Sequence, residues 1–222
     1  MTLEEPTKDA RRKARLEKKR QARRQEIVDA AQQVFRESGL EPFSLSHVAE
    51  ALDVSEATLY YYFDGKEDIL FELAIAVARQ DQRHFLAMID DALGGAEAMV
   101  ALLRGFFRHY IDDVDTMVLV YHWMFSRLQD PSRRALATEL LRPLRDALVT
   151  RLREDRTCGR LLPGIDPARR TDAFLVQCYS LVLAVVRFKY HKWTTIHPLE
   201  AFAEDLARQV YRDLRASLLE PE

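Results

Sequence analysis

Two serines, Ser44 and Ser55, each stand directly ahead of a short run whose apolar residues recur at helical spacing. Serine is favoured at such a place because its hydroxyl accepts from a first-turn N–H that the helix itself leaves unpaired. Leu45, Val48, Ala49 and Leu52 follow the first serine, and Leu59, Tyr60 and Tyr62 follow the second. The connection is left with Leu52, Asp53 and Val54. A turn this short makes the two helices meet at a steep angle. It needs a small residue where they touch, a residue tolerant of the left-handed region, and apolar side chains closing the corner. Ala49, Asp53, Val54 and Leu59 stand in those places. Glycine is the commoner turn residue, but aspartate is among the few others that enter the left-handed region at modest cost.

Helical periodicity continues on both sides of this corner. Ile27, Ala30, Ala31, Val34 and Phe35 mark a helix that Gly39 stops. Asp64 followed by Glu67 reads as a capping box with an acid at the cap. The helix it opens runs through Ile69, Leu70, Leu73 and Val77 toward Met88 or Ile89, long enough to link two domains, with Gly94 and Gly95 ending it. Further helices are expected over about 96–114, 116–128 and 132–154, the last interrupted or kinked near Pro143. Asp166 before Pro167 and His197 before Pro198 each put proline at a first helical position, opening two more, to about Tyr190 and about Ser217. The reading is an all-α, nine-helix chain. Only seven Gly and eight Pro among 222 residues agree with it.

The formal net charge of −2 conceals an asymmetry. Between Lys8 and Arg24, ten Lys and Arg residues oppose Asp9 and Glu17, a net of +8, whereas the residues from Gln25 onward are net −8. Attraction to a polyanion explains such an arm, because each cation placed on a phosphate releases condensed counterions. A solvated charged tail is the alternative. Cys158 and Cys178 fall in different predicted elements without metal-ligand spacing, so neither a disulfide framework nor a metal site is indicated. The apolar stretches near 117–125 and 181–186 are shorter than the roughly 20 residues a membrane crossing requires, which gives the expectation of no membrane contact and a cytoplasmic protein. No Gly-rich phosphate loop, H-E-x-x-H pair, C-x-x-C or nucleophile elbow occurs, so no enzyme activity and no cofactor are expected.

The stretch RRQEIVDAAQQVFRESGLEPFSLSHVAEALDVSEATLYYYFDGKEDILFEL resembles the N-terminal domain of the TetR family of bacterial regulators, most strongly in VSEATLYYYFDGKEDIL. The resemblance covers roughly a quarter of the chain. It implies a basic arm over 1–22, a three-helix helix-turn-helix domain over 23–70, and a larger helical ligand-binding and dimerisation domain over 71–222. It further implies that the helix from Ser55 to Tyr61 enters the major groove of double-stranded DNA, with Glu56, Ala57 and Thr58 nearest the base edges. Tyr60, Tyr61 and Lys66 match positions that usually touch phosphates, and Ser44 and Ser46 match contacts from the preceding helix. Short side chains at a helix N-terminus approach bases, while Tyr hydroxyls and Lys ammonium groups position the protein on the backbone. Tyr62 and Phe63 are expected in the core. Glu56 accepts from a cytosine amino group, or it is an exposed first-turn acid favoured by the helix dipole. Arg20, Arg23 and Arg24, at the end of the arm, are assigned to the backbone or minor groove.

One recognition helix buries too little to hold a specific site tightly, so a homodimer is expected. The resemblance places its interface on the last two helices, with Phe174, Leu181, Phe202, Leu206 and Val210 as candidates. It also implies an unidentified small effector in the larger domain, whose binding releases a repressor from a palindromic operator. Phe107, Tyr110, His122, Trp123 and Gln177 are the candidate contacts, within a crowd that also holds Phe106, His109, Tyr121, Met124 and Phe125. Such a pocket suits an apolar or aromatic ligand. The alternative function is a DNA-bound scaffold of the same fold that recruits a protein partner without any ligand.

Overall fold

The computed structural model describes residues 7–110, 113–125 and 130–191 together with positions 201, 205, 208, 209 and 212, and the side chains of these other than 122–125, 179 and 181–191. Eight helices and no strand occur among the described residues: α1 (Lys8–Ser38), α2 (Leu45–Ala51), α3 (Glu56–Tyr62), α4 (Lys66–Asp90), α5 (Gly95–Tyr110), α6 (Val114–Phe125), α7 (Pro131–Thr157) and α8 (Pro167–His191). The ninth expected helix, opening at Pro198, lies largely outside the described residues. No described helix is long and apolar enough to cross a membrane.

The chain divides into two compact units, 1–76 and 77–222. In the first, Ile27, Ala31, Val34 and Phe35 of α1 share a core with Phe43, Leu45, Val48, Leu59, Phe63, Ile69 and Leu73. The α2 and α3 caps are those expected: Ser44 Oγ accepts from His47 N–H and Ser55 Oγ from Thr58 N–H, both at 3.3 Å. Asp53 has φ 51° and is the one positive-φ residue other than glycine among those described. Its N–H donates to the Glu50 carbonyl and the Val54 N–H to the Ala49 carbonyl, so the end of α2 closes as a Schellman motif with aspartate where glycine is usual.

Four local expectations are corrected or refined. The basic residues from Lys8 to Arg24 are helical and form the first turns of α1, which starts at Lys8 and is capped by Thr7, whose hydroxyl accepts from Ala10 N–H. At 1.5 Å per residue the basic part of α1 is about 25 Å long. At the start of α4 the helix opens at Lys66, and Asp68 reaches back to Asp64 N–H at 3.4 Å. Gly94 and Gly95 do not end α4, which stops at Asp90; Gly95 opens α5. Close packing explains that glycine, since a Cβ there would lie 2.5 Å from Leu152 Cδ2 and 2.9 Å from Asp155 Oδ2. Gly95 N–H donates to the buried Asp155 at 2.7 Å, and Arg160 pairs with the same acid. Finally, of the two alternatives at Pro143 the interruption is excluded, since the proline lies inside a continuous α7.

The second unit is a helical bundle in which α7 packs against α5, α6 and α8. Its core joins Phe85 and Ile89 of α4, Met99 and Leu103 of α5, Met117 of α6, Leu148 and Leu152 of α7, and Phe174 of α8.

Candidate functional site

Helix α3 is anchored from one side by Leu59, which is 1% exposed. That leaves Glu56, Ala57, Tyr60 and Tyr61 facing outward, two i, i+4 pairs on adjoining stripes. Tyr61 is 75% and Tyr60 56% exposed, an uncommon state for aromatic side chains that nothing in the unit covers. The Tyr61 ring stands edge-on to Tyr62, 4.9 Å between centroids, which limits how far it can swing. Thr58 is half-buried and its hydroxyl lies 3.0 Å from Ser55 Oγ. Ser44 Oγ is 2.9 Å from the exposed Ser46 Oγ beside this face. Short polar side chains, two phenols and a helix N-terminus therefore form one outward surface on a rigid corner, a shape and chemistry suited to a DNA groove.

Two cations assigned to that surface are held inside the unit. The Arg24 guanidinium donates to the Tyr62 carbonyl, pairs with Glu72 at 3.1 Å and Asp68 at 3.9 Å, and lies 4.0 Å from the centroid of the Phe63 ring. Arg24 thus braces α1 against the end of α3 and the start of α4. Lys66 Nζ donates to the Phe43 carbonyl and sits 5.6 Å from that ring's centroid, tying α4 to the segment before α2. Arg23 pairs with Glu26 at 2.6 Å, whereas Arg20 is exposed.

In the second unit, a cavity of about 90 Å³ is lined by α4 (Ala78, Asp81, Gln82, Phe85), by Leu102, Phe106 and Tyr110 of α5, and by residues of α6, α7 and α8. Its wall is almost wholly apolar. Phe106 packs edge-on against Tyr110 at 4.7 Å and lies 5.8 Å from Phe85. Among the described residues, the wall's one charged side chain is Asp81, 6% exposed, which takes the Tyr110 hydroxyl on Oδ2 and lies 3.0 Å from His109 Nε2 through Oδ1. Burial and the neighbouring Asp81 hold the Tyr110 phenol well above its ordinary pKa, so it stays a donor. Burial likewise pushes the Cys178 thiol to about 12, which makes it an inert part of the wall.

Residues 27–73, which contain the corner of α2 and α3, match the family model described as bacterial regulatory proteins, tetR family. Over 189 residues the chain is 24% identical to the HTH-type transcriptional regulator UidR of Escherichia coli strain K12, covering 85% of this chain and 86% of that one. It is 28% identical over 146 residues to the HTH-type transcriptional repressor AcnR of Corynebacterium diphtheriae, covering 63% and 68%. Residues 27–73 are a TetR-family DNA-binding domain, and the relatives matched over most of the chain are transcriptional regulators. Among solved structures it is similar to Thermus thermophilus FadR, a TetR-family repressor in complex with lauroyl-CoA, with 27% identity, a TM-score of 0.55, and coverage of 90% of this chain and 96% of that one.

In the second unit, the expected effector contacts separate. Tyr110 lines the cavity. Phe107 is buried in the core cluster but is not part of the cavity wall, because it is turned about 100° around α5 from Phe106. Gln177 is exposed on α8 and does not line the cavity. His122 and Trp123 lie on α6, but their side chains are outside those described. Asp81 and Gln82 escape sequence reasoning: they sit among Arg79, Gln80 and Arg83, a run that reads as a solvated face. For the interface, Phe174 is corrected. It is 1% exposed because its face of α8 packs into the core of the second unit. Leu181 lies on α8 with its side chain not described, and Phe202, Leu206 and Val210 lie outside the described residues.

Proposed function

We propose that this regulator is a repressor that binds a palindromic double-stranded operator as a homodimer and is released by a small, largely apolar ligand. The outward face of α3 supplies base and phosphate contacts through Glu56, Ala57, Thr58, Tyr60 and Tyr61, assisted by Ser44, Ser46 and the basic turns of α1 around Arg20. Arg24 and Lys66 act mainly by holding that face in place. The dimer forms through the last part of the chain, where Leu181, Phe202, Leu206 and Val210 are the proposed contacts. Val176, 62% exposed on α8, supports an apolar surface there. The protein acts in the cytoplasm without a cofactor.

The observation that carries the ligand reading is the apolar cavity around Phe85, Phe106 and Tyr110. At about 90 Å³ it is smaller than the roughly 300–1,000 Å³ of most ligand pockets, so an effector must enlarge it. Enlargement displaces Ala78, Asp81, Gln82 and Phe85, and all four belong to α4, whose first turns carry Lys66 and Leu73 of the DNA-binding unit. A ligand that favours one arrangement of α4 shifts DNA affinity by its difference in affinity for the two arrangements. A saturated acyl chain suits these walls, and lauroyl-CoA is the ligand named for the T. thermophilus FadR neighbour.

The test uses a site selected from random duplex DNA. Adding lauroyl-CoA or stearoyl-CoA to the complex is expected to weaken binding by roughly 5- to 150-fold. Affinity indifferent to every acyl-CoA and to unrelated apolar metabolites would favour the scaffold function instead.

A further inference from the structure

Beside the apolar cavity lies a second, more polar groove of about 340 Å³, lined by Arg79, Gln82, Arg83, Leu136, Glu139 and Leu140. Gln82 and Leu140 are walls of both spaces, and Gln82 Nε2 donates to the Leu140 carbonyl where the two meet. Arg79 and Arg83 are exposed and one helical turn apart on α4, so their side chains emerge on the same face. Among the described residues, neither guanidinium is engaged in an ion pair. Glu139 is the groove's acid, leaving two cations against one anion.

We propose that cavity and groove form one site for a single-chain amphiphile with a phosphate-type head, the tail in the cavity and the head on Arg79 and Arg83. The proposal rests on the ligand reading above and names the head-group subsite that reading lacks. Paired guanidiniums recognise phosphate through several directed N–H donors, which a lone ammonium supplies less specifically. The opposite orientation is disfavoured by the inner wall. Its charged group is Asp81, whose oxygens are acceptors already facing Tyr110 and His109, so an anionic head directed inward finds a carboxyl group in largely apolar surroundings. Gln82 divides the two spaces, and its bond to Leu140 must open for a chain to pass from groove to cavity. Ligand entry therefore breaks a link between α4 and α7.

Calorimetric titration of the full chain compares dodecyl phosphate with 1-dodecanol, which share a tail and differ in the head, both below their micellar concentrations. The wild type is expected to bind the phosphate at least about tenfold more tightly, as charge-assisted hydrogen bonds imply. In the double variant Arg79→Ala/Arg83→Ala that preference disappears while dodecanol binding is unchanged, and in Arg79→Lys/Arg83→Lys a reduced preference remains. Equal binding of the two amphiphiles by the wild type overturns the head-group subsite but leaves the ligand cavity standing. So does a preference that survives the double alanine variant, or an equal loss of both ligands in that variant. If the wild type binds neither amphiphile, the ligand reading itself fails.

Discussion

Replacing Arg24 by alanine separates a brace from a DNA contact. The donor bond to the Tyr62 carbonyl that this removes is charge-assisted and worth about 1.5–3 kcal/mol. The Glu72 pair is half open to solvent, its carboxylate 42% exposed, and contributes less than about 1 kcal/mol. Stacking of the guanidinium 4.0 Å from the Phe63 ring centre adds about 0.5–2 kcal/mol. These groups share partners and are not additive, so the expected cost is about 2–3 kcal/mol. Hydrogen exchange of the DNA-free full chain, read on peptides within 27–73, should show local opening rising roughly 30- to 150-fold. Arg24→Lys should recover part of the loss, since an ammonium can still reach the carbonyl. At salt concentrations where the variant is folded, the slope of log K against log salt should match the wild type. A variant that exchanges like the wild type but loses about 0.9 in slope would place Arg24 on a phosphate and refute the brace.

Removing residues 1–17 deletes Lys8, Arg11, Arg12, Lys13 and Arg15 from α1 and should lower the salt slope by about 0.9 for each phosphate these cations neutralise; an unchanged slope would show that these turns do not touch DNA. Asp53→Gly should stabilise the first unit by up to about 1 kcal/mol and Asp53→Val should destabilise it by more than that, because only glycine is free of steric cost at φ 51°; equal melting of the two variants would contradict the turn geometry. Asp130, Asp166 and Asp172 all have depressed pKa values, the first two chiefly through backbone N–H donors and the third chiefly through Arg145. Their stabilisation is complete above the ordinary value of 3.8 and is lost as pH falls through the lower folded values, so the melting temperature of Asp166→Asn should fall less steeply than the wild type below about pH 4. Parallel curves for the two proteins would show that Asp166 carries none of the acid sensitivity.

What can be read from the sequence is what is settled within a few residues. Ser44, Ser55 and Asp53 announce their caps and turn because hydroxyl capping and left-handed tolerance are local properties. Pro167 opens α8 for the same reason. The role of Arg24 is hidden because its partners lie 38 to 48 residues away, and nothing near it in sequence distinguishes it from the exposed Arg20. The basic stretch shows its charge but not its helicity, since like charges crowd each turn and an apolar stripe is missing. In the second unit periodicity fails differently. Helix α5 is apolar on several sides, so spacing alone does not choose Phe106 over Phe107 for the cavity. Asp81 is buried by packing from α5, which no pattern within α4 records.

The central claim is that α3 reads DNA, and selection of binding sites from random duplexes by the full chain tests it most directly. The expected result is an enriched palindrome with half-sites centred about one helical turn, roughly 34–36 Å, apart. Glu56→Ala should relax the preference at one position in each half-site, while Tyr61→Phe should weaken all sites alike. No enrichment, or an enriched sequence left unchanged by substitutions at Glu56, Ala57 and Thr58, would contradict the assignment of this helix to the major groove.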